Sequence, residues 1–419
     1  MNFQSPRGTH DILPADSRKW QELEKKFRGV AELFGFEEIR TPIFEDTNLF
    51  TRTSGETSDV VSKEMYTFRD RGDRSITLKP EGTAPVVRAY LQHHLGQQGQ
   101  VTRLWYLTPF FRYDRPQKGR FRQAHQFGLE LIGASSPLAD AEVIQITSRF
   151  YKEIGLGDTV VLLNSIGREE TRTKFREALL AHMDSYLRDL SEEDRAKSLK
   201  NPLRLIDSKD PKAQALVAEG PNIQDYLEDT SRAHFDRLQQ VLSDAGVEYK
   251  IAPHVVRGLD YYTDTVFEIH SASLGAQGAL CGGGRYDNLI KEVGGPSIPS
   301  VGVGIGVERA LLVLEEQGYT GPEFGISVYV ASATPNATGA VVSTVAQLRT
   351  AKIDSVYAYE GGSLKSQLKE ADRVKARLAV LIGTDELAAK SATVRDLKSG
   401  EQALVSLEGL ATHISEAIR

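Results

Sequence analysis

Apolar residues recur along the chain at two different spacings, and each spacing predicts a different element. Between Pro14 and Gly35 the spacing is three or four residues, which is typical of a helix with one buried face. The apolar positions of this helix are Trp20, Leu23, Phe27, Val30 and Phe34. Segment 36–46, FEEIRTPIFED, is strand-like but contains Pro42, so we expect an edge or a boundary there rather than a central strand.

Further segments predict a hairpin and an antiparallel strand pair. Residues 64–87 read as a hairpin with an Arg71-Gly72-Asp73 turn, followed by a loop into a helix near Thr83. The segments LWYLTPFFRYD (104–114) and RFRQAHQFGLELIG (120–133) are strand-like and are separated by turn residues. We therefore expect an antiparallel pair whose tip is basic.

The second half of the chain changes character twice. Charged helical patterns replace strands across residues about 168–248, which we interpret as a helical insertion because strand-like sequence resumes afterwards. From about residue 326 strands alternate with helices, the pattern of a small α/β domain. The sequence thus predicts domains at 1–325 and 326–419. Within the first domain, after the insertion, Gly282-Gly283-Gly284 is interpreted as a turn.

Composition limits the classes of function. The chain has 57 Asp and Glu against 51 Lys and Arg, so its net charge of −6 argues against indiscriminate nucleic-acid binding. Any phosphate chemistry must then lie in local basic patches. The single cysteine, Cys281, excludes an internal disulfide and is typical of the cytosol. No leader-like or membrane-spanning segment and no metal-ligand spacing is evident, so we expect a cytoplasmic protein without a structural metal or a membrane partner.

One basic patch occupies the predicted strand–turn–strand. Its cations are Arg112, Arg115, Lys118, Arg120 and Arg122. Arg112 lies within an aromatic strand, where a guanidinium needs an anionic partner, whereas a solvated hairpin tip would explain the cations at the turn. The alternative is that the tip serves two phosphate partners, a nucleotide and a nucleic-acid backbone.

The strand after this tip has an unusual polar face. Gln126, Gly128 and Glu130 alternate and so share one face, and burying Glu130 unpaired would cost several kcal/mol. Either this face is solvated, or the gap at Gly128 holds a small polar ligand.

Two more segments carry candidate chemistry. In VGVGIGVERALLVL (301–314) alternating glycines leave one strand face bare; this face either packs tightly against a helix or admits a flat group such as a nucleotide under Arg309. The spacing is not that of a dinucleotide-binding loop. In RGLDYYTD (257–264) Arg257 lies at a predicted strand start, before Tyr261 and Tyr262; a surface ion pair is the alternative.

Together these segments resemble the class II aminoacyl-tRNA synthetases, and within that class the histidyl-tRNA synthetase family. Segment 36–46 resembles motif 1, with Pro42 as its dimer-interface proline. Segments 111–130 and 302–312 resemble motifs 2 and 3. RGLDYYTD and GGGRYDNL resemble the signatures that separate the histidyl enzymes from other class members.

The resemblance implies a fold, a reaction and partners. The fold is α+β, with a six- or seven-stranded antiparallel sheet flanked by helices, a helical insertion and a C-terminal α/β anticodon-binding domain, in a homodimer. The reaction joins L-histidine to ATP, supplied with Mg²⁺, to give histidyl-adenylate and pyrophosphate. The histidyl group then passes to the terminal ribose of tRNA(His).

It also implies residue roles. Arg112 binds the α-phosphate, Arg309 and Arg120 bind ATP, and Arg257 holds the histidine carboxylate beside the α-phosphate. The histidine-binding set is Glu81, Thr83, Gln126, Glu130, Arg257, Tyr261, Tyr262 and Tyr286. The tRNA acceptor contacts are Arg115, Gln117 and Lys118. The chain departs from the family at Ala124, where an aromatic residue often stacks on adenine, so Phe121 is the substitute candidate.

Three alternatives stay open at this level. A non-catalytic, synthetase-like regulatory subunit of histidine biosynthesis would share the fold but usually lacks the C-terminal domain and the RGLDYY-type segment. A class II synthetase for another amino acid would not need Glu130 and the tyrosine pair. A pure tRNA-binding module would not need Arg257 or Glu81.

Overall fold

The computed structural model describes residues 3–55, 58, 60–96, 101–114, 119–200, 202–206, 210–257, 259, 261–271 and 278–418. The chain divides into two compact units, Met1–Gly321 and Pro322–Arg419, each with its own buried apolar core. None of the described helices has the length and hydropathy that a membrane span requires.

The larger unit is built on a sheet that has eight strands within the described residues. In spatial order, and numbered along the chain, they are β1 (Glu37–Glu38), β5 (Thr102–Phe111), β6 (Gln123–Ile132), β11 (Ser300–Gly306), β10 (Ala279–Arg285), β9 (Thr263–Ser271), β7 (Thr159–Ser165) and β8 (Tyr249–Ile251). The strands from β5 to β7 pair antiparallel, as the sequence predicts. The expected six or seven strands become eight because the short edge strands β1 and β8 add parallel pairs.

The helices of this unit pack against the sheet. They are α1 (Pro14–Leu33), α2 (Thr47–Ser54), α3 (Thr83–Gln92), α4 (Pro137–Glu153), α10 (Leu289–Glu292) and α11 (Val307–Glu316). The predicted α1 is confirmed, because Trp20, Leu23 and Phe27 are buried on one face. Gly35 follows with φ +74°, a conformation that glycine adopts without steric cost.

A separate three-stranded sheet holds the predicted hairpin. Its strands are β2 (Phe44–Asp46), β4 (Ser75–Leu78) and β3 (Tyr66–Arg69). The hairpin turn lies at residues 70–74, as expected. Pro42 separates β1 from β2, which belong to different sheets, so the predicted boundary at this proline is confirmed.

The segment between β7 and β8 is largely helical. Its helices are α5 (Glu169–His182), α6 (Asp184–Asp189), α7 (Glu192–Lys200), α8 (Pro211–Ala218) and α9 (Asp229–Asp244). These bounds lie inside the predicted insertion at about 168–248. Apolar side chains of the segment share a buried cluster with residues of the main sheet, so its base is part of the core of the unit.

The smaller unit is an α/β domain. Its elements are β12 (Val328–Ser332), α12 (Thr338–Thr350), β13 (Ser355–Tyr357), α13 (Leu364–Arg373), β14 (Leu378–Ile382), α14 (Thr384–Ala388), β15 (Ser391–Asp396), β16 (Gln402–Ser406) and α15 (Leu410–Ala417). The first three strands pair parallel and the last two add antiparallel, in the order β13-β12-β14-β15-β16. The alternating strands and helices up to β14 match the sequence pattern.

The interpretation of the triple glycine as a turn is wrong. Gly282, Gly283 and Gly284 lie within β10, a central strand. A Cβ at Gly283 would lie 2.4 Å from the carbonyl oxygen of Gly302 and 2.8 Å from the Phe267 ring. Glycine is therefore required there by close packing and not by a reversal of the chain.

We expect Gly283→Ala to lower the free energy of unfolding by about 1–3 kcal/mol, because the added methyl group overpacks the sheet. Gly29→Ala is the matched control. Gly29 lies within α1, and a Cβ added there would meet no atom within 4 Å. Alanine should therefore raise helix stability by about 0.5–1 kcal/mol. Thermal unfolding followed by circular dichroism measures both. Equal melting temperatures for the two variants would contradict the packing argument.

Candidate active site

The predicted polar strand face lies over the glycine strand. In the β6–β11 register Gln126 is opposite Gly306 and Glu130 is opposite Gly302. A Cβ at Gly302 would lie 1.9 Å from Glu130 Oε2, and one at Gly304 would lie 1.6 Å from Gln126 Nε2. Above these two glycines, the strand face that we expected to be bare is therefore covered by the side chains of Glu130 and Gln126.

Glu130 is the centre of a buried hydrogen-bonded group. The Tyr106 hydroxyl donates to Glu130 Oε1 at 3.1 Å, and the Tyr286 hydroxyl donates to Oε2. Because the side chain is fully buried, the alternative of a solvated face is wrong. Burial raises the pKa of Glu130 to about 8 although its hydrogen bonds oppose this.

Glu81 and Thr83 belong to the start of α3. The Glu81 carboxylate accepts hydrogen bonds from the backbone N–H groups of Thr83 at 2.6 Å and Ala84 at 2.8 Å. Thr83 is the first helical residue and Gly82 precedes it as the cap. A Cβ at Gly82 would lie 2.3 Å from the Tyr106 ring, so this turn packs directly on the Glu130 group. Burial raises the pKa of Glu81 as well.

Three tyrosines complete the buried group. The ring centroids of Tyr261 and Tyr262 are 4.7 Å apart, and those of Tyr261 and Tyr286 are 5.8 Å apart. The Arg257 guanidinium lies 5.8 Å from the Tyr262 ring centroid. The tyrosines therefore connect Glu130 to Arg257, which belongs to the same segment as Tyr261 and Tyr262.

A cavity of about 360 Å³ lies beside this group and is rich in arginine. The predicted site residues that line it are Arg112, Arg120, Phe121, Gln126, Arg257 and Arg309. Arg112 Nε donates to the Pro80 carbonyl at 2.8 Å, which fixes this arginine against the loop before α3. Four guanidinium groups around one cavity make a site for an anion with several phosphate groups.

The other arginines of the cavity are held differently. Arg309 Nη1 donates to the Ala279 carbonyl, and burial together with the charge of Arg120 lowers the pKa of Arg309. Arg120 Nη1 lies 3.3 Å from Asp114 Oδ2. Because Arg309 and Arg120 repel each other, an anion placed between them would relieve that repulsion.

Arg257 differs from its predicted place. The strand begins at Thr263, so Arg257 lies in the preceding loop and not at a strand start. Its Nη1 lies 2.5 Å from Glu268 Oε1, while His270 Nε2 lies 2.7 Å from Glu268 Oε2. Burial acts to raise the pKa of Glu268, but the hydrogen bond with His270 and the charge of Arg257 outweigh it and leave the pKa lowered.

Sequence reasoning missed two acids of the site. Glu268 lines the cavity and lies between Phe267 and Ile269 in β9, a signal that the sequence contained. Glu308, in the first turn of α11, accepts from the backbone N–H of His125 at 3.0 Å, and its Oε1 lies 2.8 Å from His125 Nδ1. This contact ties β6 to α11, next to Gln126 and Arg309.

The adenine candidates also lie at the cavity. Ala124 and Phe121 both line it. Phe121 lies two residues before β6, which begins at Gln123. The alternation of side chains along β6 therefore does not place the Phe121 ring in the core. The ring lies 4.6 Å from the His10 ring and also borders a larger cavity of about 660 Å³ next to α1. The lining of that cavity contains more acids than cations, so we place the anion site in the smaller one.

Arg122, another cation of the basic patch, lies apart from this site. Arg122 stacks at 3.8 Å over the Tyr113 ring and is not in the described lining of the arginine cavity. The predicted acceptor contacts Arg115, Gln117 and Lys118 lie outside the described residues.

Gln126 has an unused hydrogen-bonding atom. In the described part of the chain its Oε1 is buried and has no hydrogen-bond partner. Because Gln126 lines the arginine cavity, this oxygen is available to an N–H donor on a ligand.

Comparison with known proteins gives two matches to family models and many similar sequences. The model described as "Histidyl-tRNA synthetase" matches residues 8–310, and the model described as "Anticodon binding domain" matches residues 327–417. A protein named histidine–tRNA ligase from Thermosynechococcus vestitus is 46% identical over 411 residues, which cover 98% of this chain and 96% of that protein. Another of that name, from Moorella thermoacetica, is 47% identical and covers 97% of each.

A solved structure extends the likeness to three dimensions. Apo S. aureus histidyl-tRNA synthetase has a TM-score of 0.84 at 35% identity, covering 99% of this chain and 100% of that one. The matches span the main sheet, the helical segment and the α/β unit. The chain belongs to the histidyl-tRNA synthetase family.

Proposed function

We propose that this chain is a histidine–tRNA ligase, which activates L-histidine with ATP and transfers the histidyl group to tRNA(His). The observation that carries the proposal is the single cavity lined by Arg112, Arg120, Arg257 and Arg309 together with Gln126. The cations suit a triphosphate, and the unpartnered Gln126 oxygen suits the amino group of an amino acid. The similar proteins named histidine–tRNA ligase support the same activity.

In the activation step a histidine carboxylate oxygen forms a bond to the α-phosphorus of ATP. The bond from that phosphorus to the bridging oxygen breaks, and pyrophosphate leaves with the electron pair. We assign Arg257 to the carboxylate and the α-phosphate and Arg112 to the α-phosphate, where fixed cations stabilise the negative charge of the transition state. Mg²⁺ arrives with ATP as part of the substrate.

We assign histidine binding to the group around Glu130. Gln126, with Glu81 and Thr83, receives the α-amino group, while Glu130 and the tyrosines 261, 262 and 286 bind the imidazole. A competitor without an imidazole N–H would add no donor to the Glu130 carboxylate beyond Tyr106 and Tyr286. Polar sites of this kind reject such analogues by roughly 10⁴–10⁵-fold.

ATP binding is assigned to the open side of the cavity. Arg309 and Arg120 bind the nucleotide and its terminal phosphates, and Phe121 substitutes for the aromatic residue that Ala124 does not provide. The position of Phe121 on the cavity wall supports this assignment.

The tRNA is assigned to two parts of the chain. We place catalysis in residues 1–325 and anticodon binding in residues 326–419, and the acceptor end at Arg115, Gln117 and Lys118. The match of residues 327–417 to an anticodon-binding model supports the second assignment. Because tRNA charging serves protein synthesis, we place the protein in the cytoplasm.

We further propose a homodimer that pairs through the three-stranded sheet. One face of that sheet carries only apolar residues and Asp46: Phe44, Tyr66, Phe68, Ile76 and Leu78. Phe44 and Phe68, on the two outer strands, are 54% and 47% exposed, and two such phenylalanines on one sheet face are typical of an interaction surface. We propose that a second copy of this chain covers the face, since motif 1 with Pro42 adjoins this sheet.

The regulatory-subunit alternative is less well supported. That class usually lacks the anticodon-binding domain, whereas this chain matches such a domain near its end. The loop segment with Arg257, Tyr261 and Tyr262 is also intact and borders the arginine cavity.

ATP–pyrophosphate exchange with each of the twenty amino acids tests the function. We expect exchange with histidine alone, because the buried Glu130 group is built for an imidazole. Exchange with another amino acid would overturn the assignment of the pocket. Histidine binding without any exchange would favour the regulatory class.

Arg257→Met should lower kcat for exchange by about 10²–10³-fold, because it removes a cation from the developing charge while keeping side-chain bulk. Arg122→Met is the matched control, since Arg122 lies over Tyr113 outside the described cavity lining. Circular dichroism checks that both variants fold. Exchange retained in the Arg257 variant would remove this residue from the mechanism.

The raised pKa of Glu130 predicts a pH dependence. The carboxylate accepts an imidazole N–H more strongly than the neutral acid does, so below the pKa of about 8 the loss of the Glu130 proton favours histidine binding. We expect kcat/KM for histidine to rise as the pH increases to about 8 and to level off above that value. Glu130→Gln should raise the KM for histidine and abolish this slope. An unchanged slope in the variant would assign the titration to another group.

A further inference from the structure

The helical insertion meets the proposed histidine site through a set of buried polar contacts. Arg172, on α5, donates from Nη1 to the backbone carbonyl of Tyr262 at 2.9 Å, and this arginine is only 9% exposed. Its other end nitrogen, Nη2, donates to Glu169 Oε2 at 2.7 Å. A side chain of the insertion therefore bonds the backbone of a predicted histidine-binding residue.

A second contact lies two residues further along the same segment. Asp264 is buried and has φ +48°, a left-handed conformation that is uncommon for a residue with a side chain. Arg168 Nε donates to Asp264 Oδ2 at 3.1 Å, and the Ser231 hydroxyl, on α9, donates to Oδ1 at 2.5 Å. The Asp264 backbone also bonds the segment that follows β7: its N–H donates to the Gly167 carbonyl and its carbonyl accepts from the Ile166 N–H.

Apolar packing joins the same elements. Phe175 and Leu179 of α5 belong to one buried cluster with Tyr261, Tyr262 and Tyr286. The rings that border Glu130 are thus packed on the insertion as well as on the sheet. Both the backbone and the ring of Tyr262 have partners in the insertion, and the Arg257 guanidinium lies over that ring.

We propose that the insertion sets the affinity for histidine, with Arg172 as a positioning residue that holds the Tyr262–Asp264 backbone in its binding conformation. Arg172 touches no reacting atom; it acts through the Tyr262 carbonyl. Without this donor, a buried carbonyl loses its partner and the Tyr262–Asp264 backbone is free to relax away from the site. The inference rests on the proposed function, because it concerns the same histidine pocket.

The test is steady-state ATP–pyrophosphate exchange with the full-length chain, varying histidine and ATP separately. We expect Arg172→Met to raise the KM for histidine on the order of tenfold while the KM for ATP changes less than about twofold. Arg172→Lys keeps one donor near the Tyr262 carbonyl and should restore most of the affinity. Ser231→Ala, which removes one partner of Asp264, should change the KM for histidine in the same direction by a smaller factor.

Arg176→Met is the matched control, because Arg176 lies one turn further along α5 and pairs with Glu169 at 3.6 Å. It should leave both KM values unchanged. Equal increases in the two KM values, or no recovery with lysine, would overturn the positioning role and indicate a general loss of structure. If Arg172→Met does not fold, Ser231→Ala decides, and an unchanged KM for histidine there would overturn the inference. Failure of the unaltered chain to exchange with histidine would instead overturn the proposed function, on which this inference rests.

Discussion

The buried carboxyl group of Glu130 constrains the structure around it more than any other single group in the proposed site. A carboxyl removed from water requires hydrogen-bond donors, and Tyr106 on β5 and Tyr286, directly after β10, supply them. Room for the carboxyl exists because Gly302 on the adjacent strand has no side chain. The glycines of motif 3 therefore serve the polar side chains of motif 2, and the two motifs form one packed unit.

A separate network holds the arginine cavity open beside this group. Arg112, Arg257 and Arg309 each have a partner within the protein, namely the Pro80 carbonyl, Glu268 and the Ala279 carbonyl. Cations fixed in this way need little reorganisation when a triphosphate enters. Glu268 neutralises part of the charge in the absence of ligand, and this explains how several guanidinium groups can share one cavity in a chain that is acidic as a whole.

The helical segment between β7 and β8 is joined to the site at its base. Arg172 and Ser231 bond to the segment that carries Tyr262 and Asp264, and both contacts are buried. The segment that carries Tyr262 and Asp264 is therefore held by packing beyond the sheet itself. The same logic applies to Glu308, which ties His125 on the motif 2 strand to the helix that carries Arg309.

The sequence alone determined most of the elements and their order, because period-two and period-three-to-four patterns are local properties of the chain. It identified α1, the hairpin, the β5–β6 pair and the polar face with Gln126 and Glu130. Only the tertiary structure decided that the Gly282–Gly284 segment is a central strand, that Glu130 is buried rather than solvated, and that Glu268 and Glu308 complete the site. Each of these depends on which distant backbone or charge lies within a few ångströms, and such proximity is not encoded in any local pattern.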